Sequence, residues 1–420
     1  MDVRRKELDN GVIVATEAMP QLRSVSIGVW VKGGSRLETD GTIGISHFIE
    51  HLLFKGTKSR SAADIAAEID AVGGQLNAFT DKEYVGFYAK VLDRHLALGF
   101  ELLADIVLNP TFPRAEVERE RNVIFEEIAM VEDSPSELVQ DLFLEQFWSG
   151  HPLGRPIAGT RSSVARIKRA DVERFFRMNY TAASTVVTVA GNIRHRRVQE
   201  LARRHFSALR AGTSVETGPR PEVRGSRHSR RKPNLEQTHL CLGTISPAAL
   251  EEDRFAVHVL STILGGGMSS RLFQNIRERR GLVYSIYSSL NLYRDAGALV
   301  IYAAMAADNA PRVVELTCKE IRALKEKLVP DEELERAKDN IKDSMLLSLE
   351  SSGSRMTHLA HQQIYYGRIY TVEETMRSID RVGRRDLRRL ANRIFDPGFL
   401  TMTALGSGSS RALDSVPLSV

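Results

Sequence analysis

The 420 residues exceed what one ordinary hydrophobic core organises and suit two domains of roughly 200 residues each. An apolar share of 42% and a charged share of 26% are those of a globular α/β or α+β protein, which excludes collagen-like, coiled-coil and disordered chains. Lys plus Arg at 58 barely exceeds Asp plus Glu at 53, so the formal charge of +5 speaks for solubility and gives no reason to expect a nucleic-acid partner.

Cys241 and Cys318 stand far apart and outside any CxxC spacing, which supports neither a disulfide framework nor a thiolate metal site and fits a reducing, cytoplasmic setting. The first residues carry no apolar leader, and runs such as 298–304 fall well short of the ~20 residues of a membrane-spanning helix. Neither a targeting segment nor membrane insertion is expected.

Alternating apolar residues predict strands over 11–16 and 24–31, then the pattern switches to helical periodicity over 44–54. A second helix over 62–72 stops at Gly73-Gly74, and strands over 75–80 and 84–91 read as a hairpin about Asp81-Lys82-Glu83. Helices follow over 92–109, 114–131, 136–148 and 169–177, then a strand over 184–190 and a helix over 196–209. Residues 211–236, rich in Gly, Pro, Ser and Arg, read as a solvated linker. Beyond it the order repeats: a strand over 239–245, helices over 255–264 and 270–279, strands over 284–292 and 298–304, helices over 310–328, 331–351, 371–379 and 384–394, and a strand over 400–405. The expectation is a duplicated α+β unit, with domains over 1–210 and 237–420 joined by the linker.

The strongest chemical signal is His47-Phe48-Ile49-Glu50-His51. Histidines at i and i+4 on a helix share a face and can grip one metal ion, and Glu50 lies close enough to act as the base that activates water. A catalytic zinc site takes three protein ligands and keeps a fourth position open, so one more donor is needed. The acidic stretch 116–127 offers candidates; within it Glu120, Val123, Ile124 and Glu127 share a helical face, and carboxylates on a buried face call for a cation.

The HxxEH motif with Glu127 placed 76 residues beyond His51 resembles the pitrilysin, insulinase and mitochondrial processing peptidase family, M16. The likeness extends over essentially the whole chain, through Gly150-His151-Pro152-Leu153-Gly154, Ala190-Gly191-Asn192-Ile193 and the phrase from Leu264 to Phe273, and is greatest to bacterial members near the processing peptidase β subunit. The resemblance implies two α/β-sandwich domains of the M16/LuxS-like metallohydrolase type, each a sheet packed against helices. It implies one Zn2+ per chain on His47, His51 and Glu127, with Glu120 as the carboxylate that supports the site.

The same resemblance implies that Arg277 and Tyr284, from an otherwise inactive second domain, act with Glu50 in catalysis. Asn77 and Ala78 are expected to pair with a peptide added as a β-strand, and Glu137 and Asp141 to hold a substrate arginine. Its implied function is a zinc endopeptidase that encloses unfolded peptides in a clamshell chamber, working as a homodimer or with a paired family chain. The alternative is a non-catalytic assembly subunit.

Overall fold

The computed structural model describes residues 2–213, 218–407, 413 and 415–420. In chain order the elements are strands β1 (Asp2–Glu7), β2 (Ile13–Ala18) and β3 (Ser24–Lys32), helices α1 (Ile45–Leu53) and α2 (Ala62–Asp70), strands β4 (Gln75–Thr80) and β5 (Tyr84–Leu92), and helices α3 (Leu96–Leu108), α4 (Arg114–Asp133), α5 (Pro135–Phe147), α6 (Arg161–Arg166) and α7 (Arg169–Asn179). Strand β6 (Thr185–Gly191) and helix α8 (His195–Phe206) close this part. There follow β7 (Ser226–Arg231), β8 (Thr238–Ile245), α9 (Arg254–Gly265), β9 (Ser285–Leu292), β10 (Gly297–Met305), α10 (Ala310–Glu326), α11 (Asp331–Ser348), α12 (Ser352–Tyr366), α13 (Val372–Asp380), α14 (Arg384–Ile394) and β11 (Thr401–Gly406).

Two mixed sheets form, with strand orders β1-β2-β6-β3-β5-β4 and β7-β11-β8-β10-β9. Leaving out β1, the sequences of connections match: in each sheet the first strand runs parallel to the last, β2 beside β6 and β7 beside β11, and the remaining pairs are antiparallel. The expected duplication is therefore present strand for strand. It also revises the linker: Ser226–Arg231 is the first strand of the second sheet rather than a solvated tether. An Arg-rich composition disguised it, yet charged side chains suit an edge strand, where they discourage pairing with other chains. Residues 214–217 of that stretch lie outside the described residues.

The chain divides into two compact units that do not coincide with its two halves. The first comprises residues 1–130, 155–219 and 347–369; the second comprises 131–154, 220–346 and 370–420. Each unit thus holds one helix drawn from the opposite half of the sequence. In the first unit, Val25, Ile27, Val29 and Val31 of β3 point into a core with α1, α3 and α8, while Ser26, Gly28 and Trp30 face the other way, as period-2 strand geometry requires. That second face is covered by α12. The contact carries polar bonds beside buried Met356, Leu359 and Tyr365: Ser352 bonds Ser26 at 2.9 Å between hydroxyls, Arg355 pairs with Glu17 at 2.8 Å, and Arg5 donates to Gln363 at 3.0 Å. The sequence reading places no helix over 352–366, because its buried face mixes Met356, Leu359, Ile364 and Tyr365 with Ser352, Gln362 and Gln363, which blurs the aliphatic stripe that marks a helix.

In the second unit, Leu299, Ile301, Ala303 and Met305 of β10 join one core with α9, α10 and α14. Val300 and Tyr302 join another, where α5 contributes Leu138, Val139, Leu142, Phe143 and Phe147. Both cysteines are buried and unpaired, Cys241 in the latter core and Cys318 in the former. Among the described residues no helix is long and apolar enough to cross a membrane.

Candidate metal centre

Helix α1 is placed by its N-terminus. Gly44, at φ 92°, precedes it, and a Cβ there would come within 2.8 Å of the Ala158 carbonyl oxygen. With no side-chain oxygen at that position, the helix takes its cap from outside: the buried Glu38 carboxylate accepts from the backbone N–H groups of Gly44 at 2.8 Å and Ser46 at 2.9 Å. Burial pushes the Glu38 carboxyl up to about 7 against the pull of those amides. On the core side Ile45, Phe48, Ile49 and Leu52 are fully buried, which turns His47, Glu50 and His51 to the opposite edge.

Helix α4 supplies the remaining carboxylates. Its buried stripe is Val117, Glu120, Ile124 and Ile128, so Glu120 is buried and Glu127 half-buried, as the periodicity implied. Val123 departs from that expectation: it is exposed, because the stripe passes on its other side.

His47, His51 and Glu127 each offer a ligand atom, and the three atoms lie within 4.8 Å of one another. Glu127 Oε2 is 3.6 Å from His47 Nε2 and 3.5 Å from His51 Nε2. Both distances are long for a hydrogen bond but close to the edge of a zinc tetrahedron, about 3.4 Å for bonds of about 2.0–2.1 Å. The donor set of two imidazoles and a carboxylate therefore fits a zinc ion. Burial, with His51 adding to it, pulls the His47 imidazole down to about 4, so the ring is neutral and its nitrogen lone pair free near pH 7.

Glu120 and two residues the sequence does not single out, Lys55 and Thr80, steady this group. Glu120 Oε2 lies 3.1 Å from His51 Nδ1, and its Oε1 meets the Lys55 ammonium at 2.9 Å. A carboxylate at Nδ1 fixes the proton there and presents Nε2 toward Glu127. Thr80, the last residue of β4, donates from Oγ1 to Glu50 Oε2 at 2.6 Å. Burial raises the Glu50 carboxyl above its ordinary 4.5, a rise opposed by the Thr80 hydrogen bond and by His51 and supported by Glu127. His47 Nδ1 is buried without a hydrogen-bond partner among the described residues. Lys55 sits four residues after His51, a spacing visible in sequence; Thr80 reaches Glu50 only because β4 packs beside α1.

Strand β4 is the edge of the first sheet and, among the described residues, pairs only with β5, which leaves one side of its backbone without a strand partner there; Asn77 is exposed on it and Ala78 half-buried. The other expected residues belong to the second unit. Glu137, exposed, and Asp141, partly buried, lie on α5, whose apolar face packs on the second sheet. The Arg277 guanidinium stacks on the Phe273 ring at 4.6 Å, and Tyr284 stands just ahead of β9, 75% exposed.

Residues 13–161 match the family model described as insulinase (peptidase family M16), and residues 166–341 match that of the peptidase M16 inactive domain. An uncharacterized zinc protease of Mycobacterium tuberculosis is 40% identical over 98% of this chain and 94% of its own length. The uncharacterized zinc protease YmxG of Bacillus subtilis is 37% identical over 97% of this chain and 99% of its own. Two solved structures share the fold. A protease from Helicobacter pylori has a TM-score of 0.89 at 23% identity, covering 96% of this chain and 99% of that one. A Pseudomonas fluorescens structure described as a peptidase M16 inactive domain has a TM-score of 0.91 at 20% identity, covering 97% and 99%.

Proposed function

The chain belongs to peptidase family M16, and from that premise we propose that it is a zinc-dependent endopeptidase that hydrolyses unfolded peptides. The observation that carries the reading is the convergence of His47, His51 and Glu127 beside a raised Glu50 carboxyl. Zinc, when held by the three donors, supplies a Lewis acid that polarises a carbonyl and makes water acidic near neutral pH.

The side chains then divide the proton work. Glu50, with Thr80 on Oε2 and no other hydrogen bond among the described residues, has its second oxygen free to take a proton from water. As the water oxygen bonds to the scissile carbonyl carbon and the carbon–nitrogen bond breaks, Glu50 returns that proton to the departing amine. Asn77 and Ala78 offer the outer side of β4, which has no strand partner among the described residues, to an extended substrate, as sheet edges do. Arg277 and Tyr284 enter this reading as donors to the substrate carbonyl oxygen, and Glu137 and Asp141 as contacts to a substrate arginine, on the family resemblance alone. The same resemblance is the ground for proposing that two chains pair around the substrate.

A quenched-peptide library assay with metal analysis tests the proposal. Wild type should bind one zinc per chain and cleave; Glu50→Gln should keep the zinc and lose at least ~100-fold in turnover. Zinc-loaded wild type that cleaves nothing in the library, or a Glu50→Gln chain as active as wild type, would defeat it.

A further inference from the structure

Away from the metal centre, the first unit carries a cleft of about 810 Å³ between the start of α4 and the segment that links α6 to α7. That volume is within the range of small-ligand sites, roughly 300–1,000 Å³. Its lining includes Arg114, Arg121, Arg166, Lys168 and Arg169 against one carboxylate, Glu118.

Two of the five cations are fixed. Arg121 donates to the carbonyl oxygens of Val164 and Ile167, the latter at 2.9 Å, and pairs with Glu118 at 3.1 Å; Arg169 donates to those of Phe112 at 2.7 Å and Thr111 at 3.2 Å and pairs with Glu173 at 2.8 Å. The other three, Arg114, Arg166 and Lys168, are exposed and make no ion pair among the described residues. The placement of Arg114 and Lys168 runs against helix stability. Arg114 opens α4, and Lys168 and Arg169 stand at the start of α7, where the helix dipole favours acids and penalises cations. Positions that break a local rule in concert are where function is expected.

From this cleft we infer a binding site for a small molecule bearing two or more linked phosphates. Guanidinium groups match phosphate oxygens in a fork geometry, which Arg114 and Arg166 can present, whereas Arg121 and Arg169 already give Nε and Nη2 to carbonyls and carboxylates. A chain of phosphates, rather than a single one, suits three cations without carboxylate partners among the described residues, spread over a cleft of this size. The lining contains no aromatic ring, so it offers no platform on which a base could stack. Recognition therefore rests on the phosphates, whether they come as an inorganic chain or as part of a nucleotide.

Calorimetric titration of inorganic triphosphate and of ATP into the full-length chain tests this inference, beside a triple variant Arg114→Ser, Arg166→Ser, Lys168→Ser and a control Arg196→Ser, Arg197→Ser on α8. Wild type should bind triphosphate saturably, one per chain, and more weakly as KCl rises. The triple variant should lose about tenfold or more, the control should match wild type, and ATP should bind as triphosphate does. Any removal of zinc by triphosphate affects all three chains alike, since the metal ligands are unchanged. Thermal melting guards against misfolding: the ligand-free triple variant should melt at or above wild type, while only wild type and control gain stability from triphosphate. Absence of saturable binding, equal binding by the triple variant, or ATP binding much more tightly than triphosphate would overturn the inference.

Discussion

Replacing Glu120 by Gln tests how the metal centre is oriented rather than how it is composed. In the native arrangement one carboxylate oxygen meets His51 Nδ1 at 3.1 Å and the other meets Lys55 at 2.9 Å, with the carboxylate almost wholly buried. The amide keeps the shape and one acceptor. If that oxygen serves His51, the NH2 group points at the Lys55 ammonium, donor against donor; if it serves Lys55, the NH2 group confronts Nδ1–H and disfavours the tautomer that presents Nε2. Either way the imidazole loses a charged partner. Loss of such partners weakens metal affinity by about 10–100-fold, or about 1.4–2.7 kcal/mol. Competition for zinc with a chromophoric chelator measures it. Pairing the change with Lys55→Met should recover part of the loss, because the donor clash disappears, making the double variant's deficit smaller than the sum of the single ones. A folded Glu120→Gln chain with wild-type zinc affinity would refute this account of the site.

Two further outcomes follow from packing and charge. A fragment ending at residue 210 lacks α12 and should show native-like far-UV but no near-UV circular dichroism, with dye-binding apolar surface; fusing residues 347–369 to residues 1–219 should restore near-UV signal. Asp105 is raised by burial but held below its ordinary 3.8 on balance by donors from Thr57, Ser59, Asn109 and Arg60. A depressed native value means that this stabilisation is fully present above the unfolded value near 3.8 and is lost as pH falls through the native one, so Asp105→Asn should lower stability at pH 7 and flatten its decline below pH 4 in urea titrations.

How much of this could be read from sequence depends on whether a feature is local. The α1 histidines and the α4 stripe are legible because helical periodicity places them without reference to anything distant. Even there periodicity puts Val123 on the wrong side, since i+3 spacing from Glu120 is compatible with two neighbouring stripes and only packing chooses between them. Thr80 and Glu38 were invisible for the opposite reason: a strand hydroxyl and a loop carboxylate gain their roles from partners set by tertiary structure. Helix α12 is hard to read because its buried face mixes Met356, Leu359 and Ile364 with Ser352, Gln362 and Gln363, and β7 because its charges imitate a linker. The duplicated order survived both omissions, as strands β8 to β10 repeat the pattern of β3 to β5.

The reciprocal exchange of α5 and α12 bears on the order in which the molecule can be completed. During synthesis α5 emerges long before the sheet it will cover, and the first sheet waits for α12 until residue 366 has been made. The metal-bearing unit therefore cannot mature as a finished first half while the second is still on the ribosome. A protease cut near residue 215 should leave two fragments that stay together, since each holds a helix the other's sheet requires. Gene duplication alone would have produced two independent copies; the exchanged helices turned them into a single unit of inheritance, in which neither half can be lost without stranding its twin.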